Sequence, residues 1–282
     1  METLVDATGA AGRLAAAAGV EPGAARGEPG AAPPGMSTAE WRVRCDLAAL
    51  YRVVALYGWA DLLSTHISAR VPDDRESFLI NPFGLLFEEV TATNLVKVDE
   101  HGNILDKTEF TINPAGFLIH GCIHAGRPEV DCVLHLHTRD GTAVATQKAG
   151  MLPLTQHALV IYADIAYHDF EGVVLDPAEQ KSLLADLGDK RMLILRNHGT
   201  LTAGRSVGEA FALMYRLERA CRMQVAAQST GQPLNELSQR VIDHSIGDGE
   251  RVYGKKGLMP GGDMAWAAML RKLDLMGIEY RH

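Results

Sequence analysis

The stretch VDCVLHLHT, residues 130–138, ends an apolar run on two histidines two residues apart. Residues i and i+2 of a β-strand share a face, so His135 and His137 point one way and Leu136 the other. A strand this apolar belongs in a buried sheet, where two polar rings need partners. Neutral imidazoles on one face suit a divalent metal, but two ligands do not complete a site.

Some sixty residues on, LILRNHGTLTAG (193–204) repeats the arrangement: an apolar strand runs into Asn197-His198-Gly199, a histidine at a strand end beside a permissive glycine. His135, His137 and His198 can converge on one cation and leave positions open for substrate. That is the ligand count of a catalytic metal rather than a structural one. Any one of them alone reads as a hydrogen-bonded core histidine. The set reads as a metal site.

Outward from these strands, TAEWRVRCDLAALYRVVALYGW (38–59) has helical spacing, with Ser37 or Thr38 able to cap it. THISARV (65–71) and SFLINP (77–82) read as strands, and EHGN (100–103) as a hairpin turn inside LVKVDEHGNIL. GFLIHGCIHAG (116–126) and TRDGTAVATQKAG (138–150) read as helices, ALVIYADIAYHDF (158–170) as a strand, and PAEQKSLLADLG as a helix opening at Pro177. KRMLILRNHGTLTAG (190–204) is a strand pair. SVGEAFALMYRLERACRMQVAAQ (206–228) is a long helix whose apolar positions exceed one buried stripe, which points to an oligomer, and GDMAWAAMLRKLDLMG a final helix. Glu88-Glu89 precedes VTATNL (90–95), a helix start that their charge favours. Short strands with flanking helices give a three-layer α/β/α domain.

The 282 residues carry a net charge of −8 and no basic run, which argues against a nucleic-acid partner. No apolar run is long enough for a membrane span. Four scattered cysteines without a Cys-x-x-Cys pair suit buried thiols in a reducing cytoplasm. Residues 1–36 are Ala/Gly/Pro-rich without apolar periodicity, a disordered extension lacking the pattern of a secretory signal, with Met36 as a second candidate start. Residues 37–282 form the domain.

RPEVDCVLHLHT (127–138) followed by LRNHG (195–199) resembles the class II aldolase/adducin family, and the resemblance runs over 41–228. It implies a central, mostly antiparallel sheet between helical layers, and a homotetramer with sites near subunit boundaries. It also implies one divalent metal per subunit, Zn2+ or Fe2+, held by His135, His137 and His198. The departures are informative. Where the family's sugar-phosphate aldolases carry Gly-Asn, this chain has Thr65-His66; their second phosphate loop corresponds to Asn81-Pro82-Phe83-Gly84. Phe83 offers only an apolar face, so a phosphorylated sugar is disfavoured. The family's Ser-Ser-Glu, whose glutamate is the acid/base, corresponds to Pro114-Ala115-Gly116. Gly116 cannot serve. His66 and His120 are the catalytic candidates in its place; Asn81, Phe83 and Gly116 are the substrate-binding ones. His124, at i+4 from His120, reads as a solvent-facing or capped helix residue.

A cation without a carboxylate base suits decarboxylation, which needs an electron sink and no initial proton abstraction. The expectation is metal-dependent carbon–carbon cleavage of an aromatic or apolar 2-oxo or 2-hydroxy acid, decarboxylation ahead of aldol cleavage of an unphosphorylated substrate. The runner-up is an iron oxygenase, as in a branch resembling this family that oxidatively decarboxylates a prenylated aromatic 2-oxo acid in aminocoumarin antibiotic biosynthesis. An adducin-like binding module without catalysis is the non-enzyme alternative.

Overall fold

The structure is a computed structural model and describes residues 29–172, 179–258 and 262–282. The expectation of disorder over 1–28 and of a helix start at Pro177 lies outside the described residues. Seven strands form one sheet: β1 (His66–Val71), β2 (Asp74–Ile80), β3 (Val96–Asp99), β4 (Cys132–Leu136), β5 (Ile165–His168), β6 (Met192–Leu195) and β7 (Gly199–Gly204). Their order is β3-β2-β1-β4-β7-β6-β5, which puts β4 at the centre. Every pairing is antiparallel except β5 with β6.

The period of two in β4 sorts its side chains between two cores. Cys132, Leu134 and Leu136 pack with residues of the Thr38–Leu56, Val207–Ser229 and Asp263–Leu275 helices. Val133 packs on the other face with Ile119, Ile123, Leu183 and Leu187, from the Pro114–Gly126 and Glu179–Leu187 helices. The three-layer architecture is thus the one expected. Ser37 caps the first helix by accepting from the Glu40 N–H at 3.0 Å, and Ser206 caps the long one by accepting from Glu209 at 3.1 Å. The segment just before the first helix lies against this body, since Trp41 Nε1 donates to the Gly30 carbonyl at 3.0 Å.

Three expectations are corrected, and one helix is new. Residues 158–164 are not strand: Gln156–Leu159 is a helical turn capped by Thr155 and Tyr162–Asp164 a 3-10 turn, so the strand spans Ile165–His168 alone. A short apolar run has no periodicity of its own to separate the two states. VTATNL starts no helix; Glu88 and Glu89 sit in a 3-10 turn, Phe87–Glu89, and the Glu89 carboxylate accepts from the Leu86 N–H at 2.8 Å. The apolar excess of Val207–Ser229 is consumed inside the chain, against the sheet and four other helices. The Gln239–Tyr253 helix, whose glycines and charges hid it, was not expected at all.

Candidate metal centre

Strand register builds the site. His66 lies directly opposite His135 in the β1–β4 pair, and His137 follows the end of β4. His198 sits in the tight turn between β6 and β7, whose reversal places Asn197 at φ 57°. Asn tolerates that left-handed conformation better than most residues do. The ring centroids of His135, His137 and His198 are each 4.8 Å from the other two. One ligand nitrogen from each lies within 4.8 Å of the other two.

The outer contacts decide which nitrogens face inward. His135 Nδ1 is 3.0 Å from the Thr200 carbonyl oxygen, which can only accept, so Nδ1 carries the proton and Nε2 the lone pair. His137 Nδ1 is 3.0 Å from Asp61 Oδ2, which assigns the same tautomer. The two Nε2 atoms are 3.0 Å apart. With both rings neutral, two lone pairs at that separation repel. A cation bound at about 2.0–2.1 Å from each nitrogen removes the conflict. Burial holds His135 well below the ordinary histidine range, and brings His198 down to about 4, so both stay neutral ligands at pH 7. The residues present therefore fit a divalent metal.

A second cluster adjoins the first. His66 Nδ1 is 2.8 Å from His120 Nε2, His120 Nδ1 is 2.6 Å from Ser68 Oγ, and Ser68 Oγ is 2.7 Å from His124 Nε2. The spacing explains the match. Two residues of strand advance about 6.8 Å and four of helix about 6 Å, so an i, i+2 pair can face an i, i+4 pair. Burial first, and then the charge that neighbouring imidazoles would carry, hold His66 and His120 well below the ordinary range. Neutral rings in series permit two proton patterns. In one, His66 donates through Nδ1 and keeps a lone pair on Nε2; in the other, every proton shifts along the chain and His66 Nε2 bears hydrogen. His66 can thus present a lone pair or an N–H at Nε2, set by the hydrogen-bond relay behind it, which ends at a buried His124 Nδ1 without a partner among the described residues.

Gly116 belongs to this arrangement through its missing side chain. A Cβ there would fall 2.7 Å from His66 Cδ2. The space a side chain at 116 would take is filled by the imidazole of His66. His124 is corrected: it is 3% exposed and bonded to Ser68, not solvent-facing. Asn81 is buried, with its carboxamide oxygen 2.9 Å from the Tyr51 hydroxyl, and Phe83 is 45% exposed. Among the described residues no hydrogen bond or ring contact joins either to the histidines. Sequence reasoning missed Asp61 and Ser68. Ser68 was within reach, since it shares a strand face with His66; Asp61 lies in a loop without periodicity, next to Leu62 at φ 45°.

The family model for the class II aldolase and adducin N-terminal domain matches residues 45–225. The chain belongs to this family. An inferred aldolase class 2 protein of Caulobacter vibrioides is 49% identical over 243 residues, 85% of this chain and 91% of that protein. Mouse alpha-adducin is 40% identical over 248 residues, 83% of this chain but 33% of the adducin. Among solved structures, an aldolase II superfamily protein from Pseudomonas syringae superposes with TM-score 0.83 at 48% identity, over 88% of this chain and 98% of that one. L-fuculose 1-phosphate aldolase from Glaciozyma antarctica PI12 superposes with TM-score 0.74 at 28% identity, over 89% and 97%. Within the family, the expected layers and sheet hold, and the histidine triad stands at the ends of the central strands.

Proposed function

We propose that this chain is a divalent-metal-dependent lyase that cleaves a carbon–carbon bond in an unphosphorylated 2-oxo or 2-hydroxy carboxylate, by decarboxylation first. The observation that carries the metal is the convergence of His135, His137 and His198, with the Nε2 atoms of His135 and His137 at 3.0 Å. A bound Zn2+ or Fe2+ supplies Lewis-acid polarisation of a chelating carboxylate and its neighbouring oxygen. His135, His137 and His198 hold it; Asp61 and the Thr200 carbonyl orient two of the rings. Decarboxylation requires no base at the outset, which agrees with Gly116 in the carboxylate's place. It does require a proton for the resulting carbanion, and His66 Nε2, in the proton pattern that places hydrogen there, is the donor. The same relay favours a second reading, aldol cleavage of an unphosphorylated hydroxy acid, with His66 first as base and then as acid.

The assembly in this reading is a homotetramer, supported by Leu62, Leu258, Met264 and Leu275, whose apolar side chains are exposed in the single chain. Among the described residues no helix is long and apolar enough to cross a membrane. The test is a panel of 2-oxo and 2-hydroxy acids, with their esters and with fuculose and ribulose phosphates, assayed with zinc and with iron(II), each with and without oxygen. Turnover of free acids without oxygen is expected, with esters inert. Phosphate-ester turnover sinks the substrate class, and product only with iron and oxygen replaces the lyase by an oxygenase. His198→Ala should lower bound metal from one per chain to a trace; full occupancy removes His198 from the site.

A further inference from the structure

At the end of β6 opposite His198, a cavity of about 330 Å³ lies between the sheet and the Gln239–Tyr253 helix. It shares no lining residue with the histidine clusters, and the strand separates the two sites by about 13 Å. The helix forms its wall because Gly249 lets it lie on the backbone of Val160, where a Cβ would stand 2.5 Å from the Val160 Cα.

The lining is basic in an otherwise acidic chain. Lys190, Arg191, Arg216, Lys255 and Lys256 face Asp164, Asp189 and Glu250, five cations against three carboxylates. Most are already paired. Arg191 reaches Asp164 at 2.6 Å and, behind the lining, Glu209 at 2.9 Å; Asp189 serves Lys255 at 3.6 Å and Lys190 at 3.9 Å. Arg216 is different. Its guanidinium lies 4.4 Å above the Tyr253 ring, and among the described residues it meets no carboxylate or carbonyl acceptor. Burial disfavours its charge. A half-buried guanidinium with a free donor edge, steadied by an aromatic face, is suited to an oxyanion. Beside the cations, Ile161, Met192 and Leu213 supply an apolar wall, which inorganic ions do not need.

We propose that this cavity is a second ligand site, taking a phosphate-class dianion carried on an apolar or aromatic body, with Arg216 and Lys256 as its principal contacts. Calorimetric titration of the full chain at fixed ionic strength tests it, with phenyl phosphate, inorganic phosphate and benzoate as probes. Phenyl phosphate should bind saturably at one per chain, tighter than inorganic phosphate, with benzoate weakest. Arg216→Gln should weaken phenyl phosphate at least about tenfold, and Lys256→Ala a few-fold. His198→Ala should leave its affinity unchanged. Lys256→Ala, at an exposed position, decides the matter if Arg216→Gln fails to fold. Absence of saturable binding overturns the proposal. So does binding that survives the Arg216 and Lys256 substitutions, or binding lost in His198→Ala, which moves the anion to the metal cluster.

Discussion

At one end of β6 Arg191 is buried against Asp164 and Glu209; at the other, a half-buried His198 packs against His135 and His137. Both ends withdraw polar groups from water, and they meet the cost differently. Around Arg191 opposite charges neutralise one another, and the Tyr253 carbonyl accepts a further hydrogen bond from the guanidinium. Around His198 three rings of the same polarity converge, and the outer partners of His135 and His137 force lone pairs toward each other. The first arrangement is complete within the chain. The second becomes complete only with a cation, which is how a ligand site differs from a structural ion pair.

Breaking the complete end has the largest effect expected. Arg191→Leu takes the buried guanidinium from Asp164 and Glu209, leaving Glu209 to Arg205 at 3.0 Å, and should cost up to about 3–5 kcal/mol in denaturant unfolding. Metal per folded chain should stay at one; a parallel loss of metal would mean that the two ends are not independent. Gly116→Ala probes the other end. Its Cβ must displace the His66 ring, an overpacking cost of about 1–3 kcal/mol, and turnover should fall with the metal retained. Turnover unchanged in that variant removes His66 from the chemistry. Asp61→Asn keeps the shape but weakens the hold on the His137 tautomer, and metal affinity measured by chelator competition should drop about 10–100-fold. An unaltered affinity would leave Asp61 as a surface partner only.

The smallest effect sharpens the comparison through pH. Burial first, and the nearby Arg70 guanidinium second, hold His124 at about 3 in the folded chain against an ordinary 6.5. As pH falls below 6.5 the unfolded chain takes up this proton first. The stability that neutral His124 contributes is therefore whole above 6.5 and is lost progressively down to about 3. Unfolding of metal-free protein should show that slope, and His124→Asn should flatten it. An identical slope in the variant would assign the titration to other groups.

Local periodicity was enough to place much of this molecule. Alternation along 130–138 puts His135 on one face of β4 and Leu136 on the other, because a strand's side chains alternate whatever surrounds them. The strand ending in Asn197-His198-Gly199 and the first helix with its Ser37 cap were legible for the same reason: each is written in neighbouring residues. The run 158–164 was not, since apolar residues without a period fit a helical turn as well as a strand.

What only the tertiary structure decided are relations between distant segments. Asp61 reaches His137 across 76 residues, and Ser68 reaches His124 across 56. His124 carries the same i+4 spacing whether it faces water or a core, and the strand packed over it put it in the core. Nothing near Gly116 in the chain says that its absent side chain makes room for His66. The residues that can bind a metal were therefore determined by the sequence. Which nitrogen of His135 and His137 faces inward was decided by the fold, because a tautomer is set by the partner on the far side of the ring.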